Sequence, residues 1–217
     1  MGKNLKKWLK NYPDKYLVEL ISLKTDSWRQ KDFSEYDVIY HVAGLAHIKE
    51  TKKNAALYYK VNRDLAYEVA YKAKREGIKQ FIFLSSMSVY GIECGVIDTF
   101  TPTKPKNNYG KSKLQAENLI SSLEDFSFKI AILRPPMIYG KGCKGNYTRL
   151  ANLAVKTPIF PDIDNKRSMI YIDNLSEFVK YIIDNCSCGL FFPQNKDYVK
   201  TSSMVRLIAE AHGRKVK

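Results

Sequence analysis

Asp37-Val38-Ile39-Tyr40-His41-Val42-Ala43-Gly44 is an apolar run of strand length that empties into small residues. A continuous rather than alternating apolar run fits a parallel strand covered on both faces, and the small residues mark where the chain leaves the sheet. Working outward, Gln80 to Leu84 repeats the pattern and closes in Ser85-Ser86, and Lys129 to Leu133 repeats it before Arg134-Pro135-Pro136. Between these runs the apolar spacing is helical, over residues 54–76 with Gly77 as the stop, and over residues 109–124. Ahead of them the spacing predicts an amphipathic helix over 3–11 ended by Pro13, then a strand from Tyr16 to Leu23. Behind them it predicts helices over 146–156, 173–185 and 202–212 and a short strand at Leu190-Phe191-Phe192. Strand and helix alternate without an internal repeat, which predicts an α/β fold with a doubly wound parallel sheet. In such sheets ligands bind beyond the carboxyl ends of the strands. Ala43-Gly44, Ser85-Ser86 and the Arg134-to-Gly140 segment all lie at such ends and point to one crevice.

Composition narrows the function. A chain of 217 residues with 45% hydrophobic content supports one domain with a sizeable core. No apolar run reaches the ~18 residues that a membrane span needs, and the N-terminus lacks the apolar core of a secretory signal, so a cytoplasmic protein is expected. Of the four cysteines only Cys186 and Cys188 are close, as C-x-C, and no second pair or histidine cluster completes a metal set, so reduced thiols and no metal site are expected. The net charge of +14 raises nucleic acid as a partner. The lysines, however, are spread along the chain and no nucleic-acid motif accompanies them. An anionic small substrate accounts for the balance as well.

The chemistry-bearing stretch is Asn108-Tyr109-Gly110-Lys111-Ser112-Lys113-Leu114-Gln115-Ala116-Glu117. Tyr109 and Lys113, four apart on a helix start, lie on one face. An ammonium near the phenol favours the phenolate and is expected to lower the tyrosine pKa toward neutrality. Such a tyrosine takes or gives a proton on an alcohol hydroxyl.

With these pieces in order, the chain resembles the extended short-chain dehydrogenase/reductase family, in its nucleotide-sugar epimerase/dehydratase branch. His41-Val42-Ala43-Gly44-Leu45-Ala46-His47 resembles the family's strand motif beside the cofactor. Tyr59-Lys60-Val61-Asn62 is similar to the segment whose Asn stabilises the sheet and its cofactor loop. Leu84-Ser85-Ser86-Met87-Ser88-Val89-Tyr90-Gly91 resembles the serine motif, Tyr109 and Lys113 its Tyr-x-x-x-Lys, Leu133-to-Gly140 its nicotinamide-side loop, and Lys166-Arg167-Ser168 the strand bearing a phosphate-binding arginine. The resemblance implies a Rossmann-like fold, with a dinucleotide-binding region over 1–140, residues 168–185 packing back on it, and a partial substrate-binding region over 141–217. It implies Ser86, Tyr109 and Lys113 as the catalytic set. Cofactor contacts would come from Gly2, His41, Ala43, Gly44, Asn62, Ser85, Tyr109, Lys113, Pro136 and Met137, and substrate contacts from Ser86, Met87, Asn146 and Arg167. The implied cofactor is NAD, with NADP open; the partners are a nucleotide-sugar substrate and a second copy of the chain, paired through the helices near 54–76 and 109–124.

Two departures refine this. The branch's 4,6-dehydratases carry an acidic pair directly after the catalytic Ser/Thr, where this chain has Met87 and Ser88, so dehydration is not expected. The family also opens with a strand and a Gly-x-x-Gly-x-x-Gly phosphate loop, whereas this chain starts within that motif, Gly2 aligning with its last glycine. A sheet without its first strand and without the glycine loop is therefore expected, as is a C-terminal region shorter than in relatives. The segment after the Tyr16–Leu23 run, which aligns with the family's second strand, has no acid in the usual place for an adenine ribose, and Asp26 is the candidate it offers. The expectation is an NAD-dependent C4 epimerase of a UDP-hexose or UDP-N-acetylhexosamine, with a keto-sugar reductase or an inactive binding remnant as the alternatives.

Overall fold

In the computed structural model, which describes residues 1–217 apart from His47, Lys144, Ile163 and Lys217, helices cover both faces of a parallel sheet. In chain order the regular elements are α1 (Gly2–Leu9), β1 (Val38–His41), α2 (Ala55–Tyr59), α3 (Leu65–Arg75), β2 (Gln80–Leu84), α4 (Asn108–Ser121), β3 (Lys129–Leu133), β4 (Met137–Tyr139), α5 (Asn146–Lys156), β5 (Met169–Tyr171), α6 (Ile172–Asp184), β6 (Gly189–Phe191) and α7 (Thr201–Ala211). The main sheet runs β1-β2-β3-β6, parallel throughout, in the register Tyr40 to Ile82 and Ile82 to Ala131.

Alternation along the central strands builds two cores. Phe81, Phe83, Ile130 and Ile132 face α3 and α4, where Val69, Ala70, Ala73, Ala116 and Ile120 close over them. Ile82, Leu84, Ala131 and Leu133 face the other way, toward Leu5 and Leu9 of α1 and Leu175, Val179 and Ile182 of α6. Every residue of β2 is buried, as expected of a strand between two helix layers. Beyond the main sheet, β4 and β5 form a parallel pair, and α5 packs on α7.

Three expectations need correction. Tyr16–Leu23 is extended but joins no strand ladder among the described residues. Its side chains still alternate as a strand's do, Tyr16 and Val18 packing on the α1/α6 core and Ile21 and Leu23 on the α3/α4 core. Each residue parity keeps to one face, so what the segment lacks among the described residues is a ladder partner and not the alternation. The helix expected over 54–76 is interrupted at Lys60–Asp64 by a turn of π-helix. Lys166-Arg167-Ser168 is not itself a strand; Arg167 makes a single antiparallel bridge with Val199, and β5 starts two residues later.

A candidate active site at the carboxyl ends of the strands

The helix that carries Tyr109 is set by its cap and by one glycine. Asn107 is the N-cap, its Oδ1 accepting from Gly110 N at 2.8 Å. Asn108 Nδ2 donates to Glu50 Oε1 at 2.6 Å, and its Oδ1 accepts from the Tyr59 hydroxyl at 2.9 Å. Gly110 touches the serine turn so closely that a Cβ there would stand 2.5 Å from the Ser88 carbonyl oxygen. Only glycine lets α4 lie this close to the turn, and this proximity brings the two reactive segments together.

Ser86 caps that turn, the 3-10 helix Met87–Tyr90, its Oγ accepting from Ser88 N at 3.1 Å. The same hydroxyl donates to Ser88 Oγ at 3.1 Å and lies beside the Tyr109 phenol. Burial raises the Tyr109 pKa above its ordinary value, and the neighbouring Ser86 hydroxyl works against that rise. The expected lowering by Lys113 is not what the geometry yields. Lys113 is buried and donates to the Leu84 carbonyl at 2.8 Å, with its Nζ 4.5 Å from the centre of the Phe83 ring. Burial lowers the Lys113 pKa to about 8, a shift that Glu117 opposes. One carbonyl uses one of the three N–H groups of an ammonium.

The other expected cofactor residues gather here in part. A Cβ on exposed Gly44 would lie 3.1 Å from Asn62 Oδ1 and 3.3 Å from Lys113 Nζ, so the bare backbone of this loop faces the ammonium directly. Asn62, fully buried in the π turn, accepts from Leu45 N at 2.6 Å and donates to Leu45 O at 3.1 Å and Ser112 Oγ at 3.0 Å. It thereby ties the loop after β1 to α4. Asn62→Ala is expected to strip both Leu45 backbone groups of partners and cost about 2–4 kcal/mol, read by urea denaturation; a loss within about 0.5 kcal/mol would contradict this role.

His41, at the end of β1, stacks on Phe81 and Phe83 with ring centroids 5.9 Å away in each case. It is 3% exposed, and its Nε2 has no hydrogen-bond partner among the described residues. Burial first, and Lys113 second, lower its pKa to about 3. The folded state therefore holds it neutral while the unfolded chain takes up a proton below about 6.5, so stability falls as pH drops from 6.5 toward 3. At pH 5 this loss is about 2 kcal/mol, and His41→Leu is expected to flatten it in a pH series of thermal melts.

Gly2 opens α1, against the side chains of Leu20 and Val42, at the same end of the sheet. Ala43 precedes Gly44 in the loop, and Pro136 and Met137 link β3 to β4, all partly buried. Met87 N bonds to the Pro135 carbonyl at 3.3 Å, joining the serine turn to that link. Ser85 is buried and donates its hydroxyl to Glu117. Asn146 is the exposed first residue of α5 and Arg167 is exposed ahead of β5; neither hydrogen-bonds to Ser86, Tyr109 or Lys113 among the described residues. Asp26 sits in an exposed 3-10 turn and accepts from Arg29 Nε at 3.1 Å. His47, the last residue of the β1 motif, lies outside the described residues. Two residues that sequence reasoning left without a role, Glu117 and Arg134, form a buried pair beneath Lys113.

The model of the NAD-dependent epimerase/dehydratase family matches residues 6–190, which includes β1, the serine turn, Tyr109, Lys113 and α6. The chain belongs to that family. A UDP-glucose 4-epimerase of Vibrio cholerae is 30% identical over 213 residues, covering 93% of this chain and 65% of that protein. An N-acetyl-alpha-D-glucosaminyl-diphospho-ditrans,octacis-undecaprenol 4-epimerase of Escherichia coli O157:H7 is 30% identical over 183 residues, covering 82% of this chain and 54% of that protein. The chain thus spans less than two thirds of the length of these curated relatives. Among solved structures, a dTDP-4-dehydrorhamnose reductase of Bacillus anthracis in complex with NADP superposes with a TM-score of 0.81 at 23% identity, over 100% of this chain and 80% of that one, a likeness of fold. No helix among the described residues is long and apolar enough to cross a membrane.

Proposed function

We propose that this chain carries the reaction centre of an NAD-dependent nucleotide-sugar 4-epimerase. The observation that carries the reading is the convergence of Ser86, Tyr109 and Lys113, from two segments brought together at Gly110, in a member of this family whose relatives include two 4-epimerases. The residues present suit a nicotinamide dinucleotide: the bare backbone at Gly44 leaves room beside an ammonium with unused donors, as a ribose diol requires.

NAD, when bound, supplies a reversible hydride acceptor for the sugar carbon. Tyr109 would take the proton from the hydroxyl on that carbon and return it after the ketone has presented its other face. Ser86 would donate to the same oxygen and stabilise charge as it develops. Lys113 would hold the ribose and offset the negative charge left on Tyr109. Met87 and Ser88 supply no carboxylate after Ser86, so proton removal from a neighbouring carbon, the step leading to loss of water, has no base there. Asn146 and Arg167 are proposed to reach the nucleotide diphosphate, Arg167 by its bidentate fork.

Incubation with NAD and UDP-glucose or UDP-N-acetylglucosamine tests the reading. Interconversion at C4 with no net change in NADH absorbance is the expected result. Stoichiometric NADH or NADPH consumption on a keto-sugar would replace it with a reductase. Absence of NAD binding at millimolar concentration by calorimetry would leave a chain that keeps the constellation without using it.

A further inference from the structure

Tyr109, Lys113 and Glu117 follow at four-residue intervals and share one face of α4. Lys113 is held at the carboxyl end of β2, where it donates to the Leu84 carbonyl; Glu117 sits one turn further along α4, 2% exposed. Its carboxylate takes hydrogen bonds from Arg134, Nε at 3.1 and 3.2 Å and Nη2 at 2.5 Å, and another from the Ser85 hydroxyl. Arg134 Nη1 donates to the Tyr90 hydroxyl at 2.6 Å. These four residues come from α4, the end of β2, the serine turn and the end of β3, the same segments that carry Lys113, Ser86 and the Pro136-Met137 link. A planar fork fixes angle as well as distance, so the pair sets how these segments lie against one another. Burying an ion pair is a poor route to stability, since desolvation cancels much of the attraction.

We propose that the Glu117–Arg134 pair positions the reacting residues: it clamps α4 to the ends of β2 and β3, and its carboxylate is the counter-charge of Lys113. The inference rests on the reading of Tyr109 and Lys113 as the reacting pair. Glu117 raises the pKa of Lys113 against the larger effect of burial. The other groups facing Lys113 do not supply an anion. His41 from β1 is neutral above about pH 3, Asn62 from the π turn and the Phe83 ring from β2 carry no charge, and Tyr109 keeps its proton at neutral pH. Arg134, at the end of β3, is spent on Glu117.

The test is titration of the lysine side chains by 13C NMR on the full chain without cofactor, with Lys113→Arg identifying the Lys113 resonance. Lys113 is expected to titrate near pH 8 in the parent chain. In Glu117→Gln it should titrate about one pH unit lower. Because that variant leaves Arg134 unpaired, the charge-balanced Glu117→Gln/Arg134→Gln chain is measured beside it and is expected to fold and to show a smaller downward move, since a cation leaves with the anion. An unmoved Lys113 in a folded variant overturns the proposal. So does a double variant that fails to fold, which would make the pair a device of the fold alone. Neither readout depends on turnover, so absence of epimerase activity would count against the proposed function and not against this inference.

Discussion

Tyr109→Phe is expected to slow epimerisation by about 10²–10⁴-fold while NAD binding and the melting temperature stay in place. The substitution removes one hydroxyl and keeps the ring, and the neighbouring side chain that acts on that hydroxyl is Ser86. Burial holds the phenol protonated at neutral pH, so the folded chain without ligands presents an acid there. Taking the proton of a sugar hydroxyl therefore requires the phenolate to be stabilised when the site fills, by Ser86 from one side and by Lys113 from the other. Lys113 carries an ammonium below about pH 8, which places the loss of rate on the alkaline side. Measured as kcat with UDP-glucose across pH 6–10, the parent should decline as Lys113 loses its proton, and Tyr109→Phe should lie low throughout. A Tyr109→Phe rate within about tenfold of the parent would remove the tyrosine from the proton-transfer role.

What could be read in the sequence divides along physical lines. Phe81–Leu84 and Ile130–Leu133 were legible because a strand buried on both faces reads as a continuous apolar run, and Ser85-Ser86 after the one and Pro135-Pro136 after the other mark where the chain leaves the sheet. Tyr109 and Lys113 were legible because helical spacing alone puts them on one face. Tyr16–Leu23 misled because both its composition and its alternation, Tyr16 and Val18 toward one core and Ile21 and Leu23 toward the other, are those of a strand, while ladder pairing depends on neighbours that no local pattern reveals. β4 and β5 are three residues each, too short for any period to register. The π turn at Lys60–Asp64 has no signature in its residues; it brings Asn62 to the loop after β1, a role that the family resemblance supplied and periodicity could not. Glu117 stood inside the quoted helix, yet its partner Arg134 lies across the sheet layer, and no local spacing links the two.

That pair carries the largest expected effect on stability. Arg134→Met leaves the Glu117 carboxylate buried without its cation, and breaking a buried pair from one side costs about 3–5 kcal/mol. Arg134 is 8% exposed and Glu117 2%, so water cannot replace the lost fork without opening the interface between α4 and β3. The double change Glu117→Leu/Arg134→Met removes both charges and puts similar volume in their place. It should recover most of the loss, all but about 1–2 kcal/mol, the remainder reflecting the Ser85 and Tyr90 hydroxyls left without their partners. Urea denaturation of the parent, the single and the double chain decides the point. Equal losses in single and double would mean that the pair is net stabilising, and the case for a positioning role would weaken accordingly. Recovery in the double, with Lys113 titrating at lower pH, would separate two effects that a single substitution mixes: the fold tolerates the loss of both charges, and the reacting lysine does not.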